Sequence, residues 1–86
     1  MAWQIEFDPA AVKQLEKLDK PVRKRIIDFL ESRAAANPRD FGEATTGKLS
    51  GYWKYRIGNY RVVVEIIDQR MTIFVIKAKH RSIVYK

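Results

Sequence analysis

The residues able to do chemistry in this chain are cations, and they crowd into its second half. Lys48, Lys54, Arg56, Arg61, Lys77, Lys79 and Arg81 alternate there with aromatic and β-branched residues, and His80 and Tyr85 join them near the end. Seventeen Lys and Arg against ten Asp and Glu give the 86 residues a formal charge of +7. Residues 1–43 hold eight basic and eight acidic side chains and sum to zero. Residues 44–86 hold nine basic side chains against only Glu65 and Asp68, so the whole excess lies there. A charge serving only solubility would be spread over both halves. A one-sided charge is the electrostatic footprint of a polyanion. Nucleic acid is the first candidate, an acidic protein the second and an anionic membrane a distant third.

Other chemistries lack their residues. There is no cysteine, hence no disulfide framework and no thiolate metal site. His80 alone does not make a zinc site. Glu65 and Asp68 are too few in the basic half for a two-metal nuclease centre, and no glycine-rich phosphate loop occurs. Any catalysis is expected to need neither metal nor cofactor. No stretch approaches the ~20 apolar residues of a membrane span. The start, Met-Ala-Trp-Gln-Ile-Glu-Phe-Asp, has no basic leader. A cytoplasmic location and no membrane partner are the expectation.

The elements that position the cations follow from periodicity. Trp3, Ile5 and Phe7 alternate with polar neighbours, which predicts a strand. Asp8-Pro9 is a helix start, with Asp as cap and Pro at the first helical position. Val12, Leu15 and Leu18 continue it. Asp19-Lys20-Pro21 reads as a break and a second start. Val22, Ile26, Phe29, Leu30 and Arg33 recur at helical spacing up to the stop at Asn37-Pro38. Cations between Lys13 and Lys24 are interleaved with acids and read as a solvated helix face with no role, and Arg25 and Asp28 are expected to face water. Residues 37–47 read as a loop. Strands are predicted near 50–57, 60–67 and 71–79, with Gly58-Asn59 as a two-residue hairpin turn and Asp68-Gln69-Arg70 as the next turn. The expected architecture is a single α+β domain over 1–86 of order βααβββ. A helical hairpin packs on one face of a mostly antiparallel four-stranded sheet.

Hairpin geometry then fixes faces. With Gly58-Asn59 as the turn, Ile57 pairs with Tyr60, Arg56 lies opposite Arg61, and Lys54 lies opposite Val63 on the same face. The other face carries Trp53, Tyr55, Ile57, Tyr60, Val62, Val64 and Ile66 and meets the helices. A three-residue turn at 68–70, preferred because Phe74, Ile76 and Ala78 suit a core and Lys77 and Lys79 do not, predicts Met71, Ile73, Val75, Lys77 and Lys79 on the open face and Thr72, Phe74, Ile76 and Ala78 in the core; a two-residue turn would reverse the faces. Like charges opposite one another destabilise a sheet, so an anionic ligand is expected to offset them.

These runs resemble a known family. Tyr55-Arg56-Ile57-Gly58-Asn59-Tyr60-Arg61-Val62-Val63 is similar to the central hairpin of the RelE/ParE toxin superfamily. Leu49-Ser50-Gly51 is similar to its lead-in, and Lys79-His80-Arg81-Ser82-Ile83-Val84-Tyr85 resembles its closing segment. The resemblance implies the toxin of a type II toxin–antitoxin pair. In the RelE branch such a toxin enters the A site of the 30S ribosomal subunit, where 16S rRNA surrounds the mRNA, and cuts the mRNA. In the ParE branch it inhibits DNA gyrase and catalyses nothing. The matching cations favour the RelE branch. A plain RNA- or ribosome-binding domain is the remaining reading.

On the RelE reading the 2′-hydroxyl attacks the adjacent phosphate, leaving a 2′,3′-cyclic phosphate and a 5′-hydroxyl. Arg61 and Arg81 would clamp the phosphate. A Lys among like charges can serve as acid or base near neutrality, and Lys54 is the first choice of base. Tyr85 would stack on or orient the nucleotide, or share in proton transfer. Arg56, Lys48 and Lys77 would bind RNA. The sequence departs from the best-known RelE pattern in having Arg56 for a Lys and Lys79 for an Arg. Arg essentially never deprotonates, which moves the base role toward Lys54 or Lys79. His80, which that pattern lacks, is a further acid–base candidate. The expected partner is an acidic, RelB-like antitoxin that wraps the helices and the basic sheet.

Overall fold

A computed structural model describes residues 2–47 and 51–80. The first strand, β1 (Gln4–Phe7), leads into α1 (Pro9–Glu16) and α2 (Lys20–Phe29). The Asp8 carboxylate accepts from the Ala10 N–H and caps α1 with Pro9 in its first turn. Pro21 occupies the equivalent place in α2. A π-helical turn, Leu30–Ala34, extends α2, with the Ala35 N–H donating to the Leu30 carbonyl at 2.9 Å. The sheet then continues with β2 (Glu43–Ala44), β3 (Trp53–Ile57), β4 (Tyr60–Ile67) and β5 (Thr72–His80).

The α+β class and the helices-on-sheet arrangement are as expected, but the sheet has five strands, in the order β1-β5-β4-β3-β2. The added strand is the two-residue β2, inside the segment read as loop. A pair of residues carries no periodicity to read. β1 runs parallel to β5, and every other pairing is antiparallel.

Core and open faces of β3 and β4 fall as hairpin geometry dictates. Tyr55, Ile57, Val62 and Val64 are buried with Leu15, Ile26 and Leu30 of the helical layer. At α1 the buried pair is Ala11 and Leu15, whereas Val12 is 39% exposed, so the apolar stripe is rotated one position from the expected one. β5 also corrects the expectation. The turn between β4 and β5 has four residues, a 3₁₀ turn at Asp68–Arg70 followed by Met71 in the left-handed region (φ 45°), so Ile67 pairs with Thr72. Ile73 and Val75 are therefore core, and Phe74 lies on the open face opposite Glu65. A bulge then intervenes: Val64 pairs with Val75 but Val63 with Lys77, leaving Ile76 as the extra residue. Two one-residue departures cancel. Lys77 and Lys79 regain the open face, and Ala78 is buried.

Candidate cationic site on the open sheet face

The β3–β4 turn sets the register of the site. Gly58 has φ 61°, while Asn59 keeps a negative φ. A glycine with positive φ at the first central position is the type II′ pattern, whose twist suits the strands it joins. The pairing that follows is Ile57 with Tyr60, Arg56 with Arg61 and Lys54 with Val63. β5 adds Lys79 opposite Arg61 and Lys77 opposite Val63. Three cations, Arg56, Arg61 and Lys79, thus occupy one rung across three strands. Lys54 and Lys77 flank Val63 on the next. Neighbouring strands lie about 4.8 Å apart and like-facing residues of one strand about 7 Å apart. Five cationic side chains therefore start from a patch about 10 Å by 7 Å, with Arg56 exposed and the other four half-buried.

The positive charge of the face is confined to one end. Beyond Val63 its next rung holds Glu65, Phe74 and Glu6. At the far edge β2 sets Glu43 opposite Lys54. Charge counting had placed Glu43 in the neutral half of the chain and in a loop. Its approach to Lys54 depends on a two-residue strand that no sequence signal announces.

The frame behind the site is well tied. The Tyr55 hydroxyl donates to the Pro38 carbonyl at 2.7 Å, and the Trp53 indole N–H to the Phe41 carbonyl at 2.6 Å. Phe29 meets Phe41 edge-on and Tyr55 at a tilt. Burial pushes the Tyr55 phenol up to about 12, against a smaller opposing effect of the Arg39 charge. The segment carrying Glu43 is held closely to β3: at Gly42 (φ 71°) a side chain would collide with the Lys54 carbonyl oxygen. On the opposite side of the site, β1 ends before the last residues of β5, and the Gln14 side chain of α1 accepts the Ala78 N–H at 2.8 Å. That bond satisfies an edge donor between Lys77 and Lys79.

Of the residues singled out by sequence, Lys54, Arg56, Arg61, Lys77 and Lys79 are brought together. Lys48, Arg81, Tyr85 and the His80 side chain lie outside the described residues; the His80 backbone closes β5 opposite Tyr60. Lys24 and Arg25 are exposed, as expected, and they also line a groove of about 570 Å³ together with Arg33 and Arg56. Their mixed-sign helical pattern hid this, because periodicity reports which residues share a helix face and not what stands across from it. Among the described residues no cluster of three or more metal-ligating side chains occurs.

A two-helix layer on a mixed five-stranded sheet, with cations gathered on the uncovered face, defines a small basic α+β domain. Residues 5–85 match the family model of the ParE toxin of type II toxin–antitoxin systems, parDE. The chain is 35% identical to the mRNA interferase toxin RelE of Escherichia coli over 92 aligned positions, which cover 99% of this chain and 92% of that one. Its fold matches the toxin–antitoxin complex RelBE2 of Mycobacterium tuberculosis with a TM-score of 0.89 at 23% identity, over 95% of this chain and 94% of that one. It also matches the archaeal RelE–RelB complex of Pyrococcus horikoshii with a TM-score of 0.69 at 26% identity, over 94% and 97%. The chain belongs to the RelE/ParE toxin superfamily and is a RelE-like toxin of the type II toxin–antitoxin class.

Proposed function

We propose that this toxin is a ribosome-dependent endoribonuclease that cleaves mRNA in the ribosomal A site. The observation that carries the reading is the rung Arg56–Arg61–Lys79 with Lys54 and Lys77 beside it, together with the name mRNA interferase borne by the 35% identical relative. RNA brings its own nucleophile. A base takes the proton of the 2′-hydroxyl, the 2′-oxygen bonds to phosphorus, and the bond from phosphorus to the 5′-oxygen breaks. An acid returns a proton to that oxygen, leaving a 2′,3′-cyclic phosphate and a 5′-hydroxyl. The protein's tasks are to align the two oxygens and to stabilise the phosphorane's extra negative charge. Arg61, central in the rung, meets the phosphate with a planar donor fork. Lys54 acts as base from its place on β3 beside the rung, and Lys79 serves on the leaving side. His80, the last residue of β5, and Arg81 and Tyr85 beyond it in sequence complete the proposed set, and Arg56, Lys77 and Lys48 hold the strand. The fixed charges and the 2′-hydroxyl cover every step, so this scheme calls for no metal or cofactor.

The partner that silences the toxin is an acidic antitoxin of the RelB kind, as in the P. horikoshii complex, and translating ribosomes place the activity in the cytoplasm. No helix among the described residues is long and apolar enough to cross a membrane. Cleavage of mRNA on programmed ribosomes, mapped by primer extension, tests the reading. Codon-register cuts made by the wild type and abolished in Lys54→Ala and Arg61→Ala are expected. The ParE name of the matching family model carries the second reading, gyrase inhibition, for which intact mRNA with accumulating cleaved DNA would be the sign. Ribosome binding with both nucleic acids intact would leave a binding domain.

A further inference from the structure

Among the described residues, three hollows border the tip of the β3–β4 hairpin. The groove of about 570 Å³ runs between α2 and the end of β3, walled by Lys24, Arg25, Arg33 and Arg56 with Asp28 as its one carboxylate. A hollow of about 190 Å³ shares Arg25 with it and reaches Tyr60. A third, of about 50 Å³, is lined by Arg56, Arg61 and the turn itself. Arg56 borders both the large groove and the small one, so the groove joins the rung Arg56–Arg61–Lys79 without a break in positive charge. Gly58 permits the junction. A Cβ there would come within 3.1 Å of Arg25 Nη1, so the guanidinium lies over the bare turn.

We propose that this groove is a second RNA site, which binds the phosphodiester backbone of the strand as it leaves the cationic rung. It rests on the reading that the rung holds RNA. Four cations against one acid give the lining a formal excess of three positive charges, and none of Lys24, Arg25, Arg33 and Arg56 is in an ion pair with a carboxylate among the described residues. Three of the four are Arg, whose fork suits phosphate oxygens. Half-buried Phe29 in the same lining offers an aromatic surface to an unstacked base. Continuity through Arg56 favours RNA over an acidic peptide. RNA carries a negative charge on every backbone unit, so a strand seated on the rung brings phosphates into the groove wherever its backbone runs, whereas a peptide must place acidic side chains at both.

The test is a titration of the full chain with a single-stranded RNA whose 2′-hydroxyls are methylated, so that binding is read without cleavage. It is run across a salt series for the wild type, Arg25→Gln and the triple variant Lys24→Gln, Arg25→Gln, Arg33→Gln. Every phosphate left without its cation reduces the log–log salt slope by about 0.7, so the triple variant should flatten it by about 2 and weaken binding about tenfold or more at moderate salt. On programmed ribosomes it should raise KM by a similar factor while lowering kcat far less than Arg61→Gln does. Arg25→Gln should show about a third of the slope change, which keeps the test valid should the triple variant melt early. Unchanged affinity and slope in both variants would overturn the proposal. So would intact RNA binding combined with weakened affinity for the purified antitoxin, which would make the occupant a protein. A wild type that binds the RNA through the groove but cuts no mRNA would refute the nuclease reading and leave the groove standing.

Discussion

Replacing Gly42 by Ala separates two costs that usually come mixed. Gly42, Gly47 and Gly51 all have φ in the left-handed region, at 71°, 66° and 99°. For Gly42 and Gly47, an Ala in that region costs about 1–2 kcal/mol. Their surroundings differ. A Cβ at Gly47 meets nothing within 4 Å, but one at Gly42 would fall on the Lys54 carbonyl oxygen and lie 2.8 Å from Tyr55 Cδ1. Those atoms belong to β3, whose core face is buried, so relief comes only by pushing β2 away. Overpacking of this kind adds about 1–3 kcal/mol. Gly42→Ala should therefore cost about 2–5 kcal/mol and Gly47→Ala about 1–2. At about 4–8 °C per kcal/mol for a domain of this size, the two are readily told apart by thermal melts, with urea midpoints as a check. Gly42→Ala should also slow mRNA cleavage at temperatures where it stays folded, because the displaced strand pairs Glu43 with Lys54. Equal losses of stability in the two variants, within about 0.5 kcal/mol, would refute the idea that close approach to Lys54 is what requires glycine.

Other outcomes follow from the same geometry. Tyr55 titrates near 10 when unfolded and near 12 when folded, so it contributes stability below pH 10 that is lost as pH rises toward 12. Two units correspond to about 3 kcal/mol, and the wild type should show this extra alkaline slope when its urea unfolding is compared with that of Tyr55→Phe. Arg56 faces Arg61 directly, so Arg56→Gln should stabilise the fold by about 0.2–1 kcal/mol in low salt, less at high salt, while weakening RNA binding. The Arg39 guanidinium holds the Asp68 carboxyl below its usual range through an exposed two-pronged contact at 2.9 and 3.0 Å. Its stabilisation should be present above pH 4 and fade as acid protonates Asp68, and the effect of Asp68→Asn on Tm should shrink in molar salt. Gln14→Met should speed amide exchange at Ala78, whose N–H loses its acceptor, and Gln14→Glu should restore much of the protection.

What could be read from sequence, and what could not, divides at the irregular residues. Arg56 opposite Arg61 followed from one dipeptide, because a two-residue turn leaves no freedom in the pairing beyond it. β5 had no such anchor. Its turn was one residue longer than read and its strand held one unpaired residue, Ile76. Neither the left-handed Met71 nor the bulge has a side-chain signature, since both depend on what β4 and β1 offer from either side. Lys77 and Lys79 still reached the expected face, because burying two lysines under the helices is more costly than any bulge. The physical constraint on the end of the strand was legible while the path to it was not. Val12 errs for a related reason: α1 meets the sheet with Ala11 and Leu15, and a small buried residue leaves a weaker mark on the hydrophobic pattern than an exposed valine.

The distribution of charge over the open face also restricts how a polyanion can lie there. Moving along the strands from the rung Arg56–Arg61–Lys79, one passes Lys54, Val63 and Lys77 and then meets Glu65, Phe74 and Glu6. A strand of RNA running in that direction would set its second or third phosphate against carboxylates. Running across the strands, it stays on cations, and Arg56 is where that line leaves the sheet. The hairpin tip is the natural exit on this side, because Gly58 carries no side chain to block it and Arg25 waits beyond. On the proposed reading, the crosswise placement of the positive excess would set the rung and the groove on one path. A variant that makes the far rung basic, Glu65→Lys, should broaden RNA binding without improving cleavage, because it adds charge where the strand is not aligned for attack. Improved cleavage in that variant would mean the RNA runs along β4 instead, and the groove beside α2 would then lie off its path.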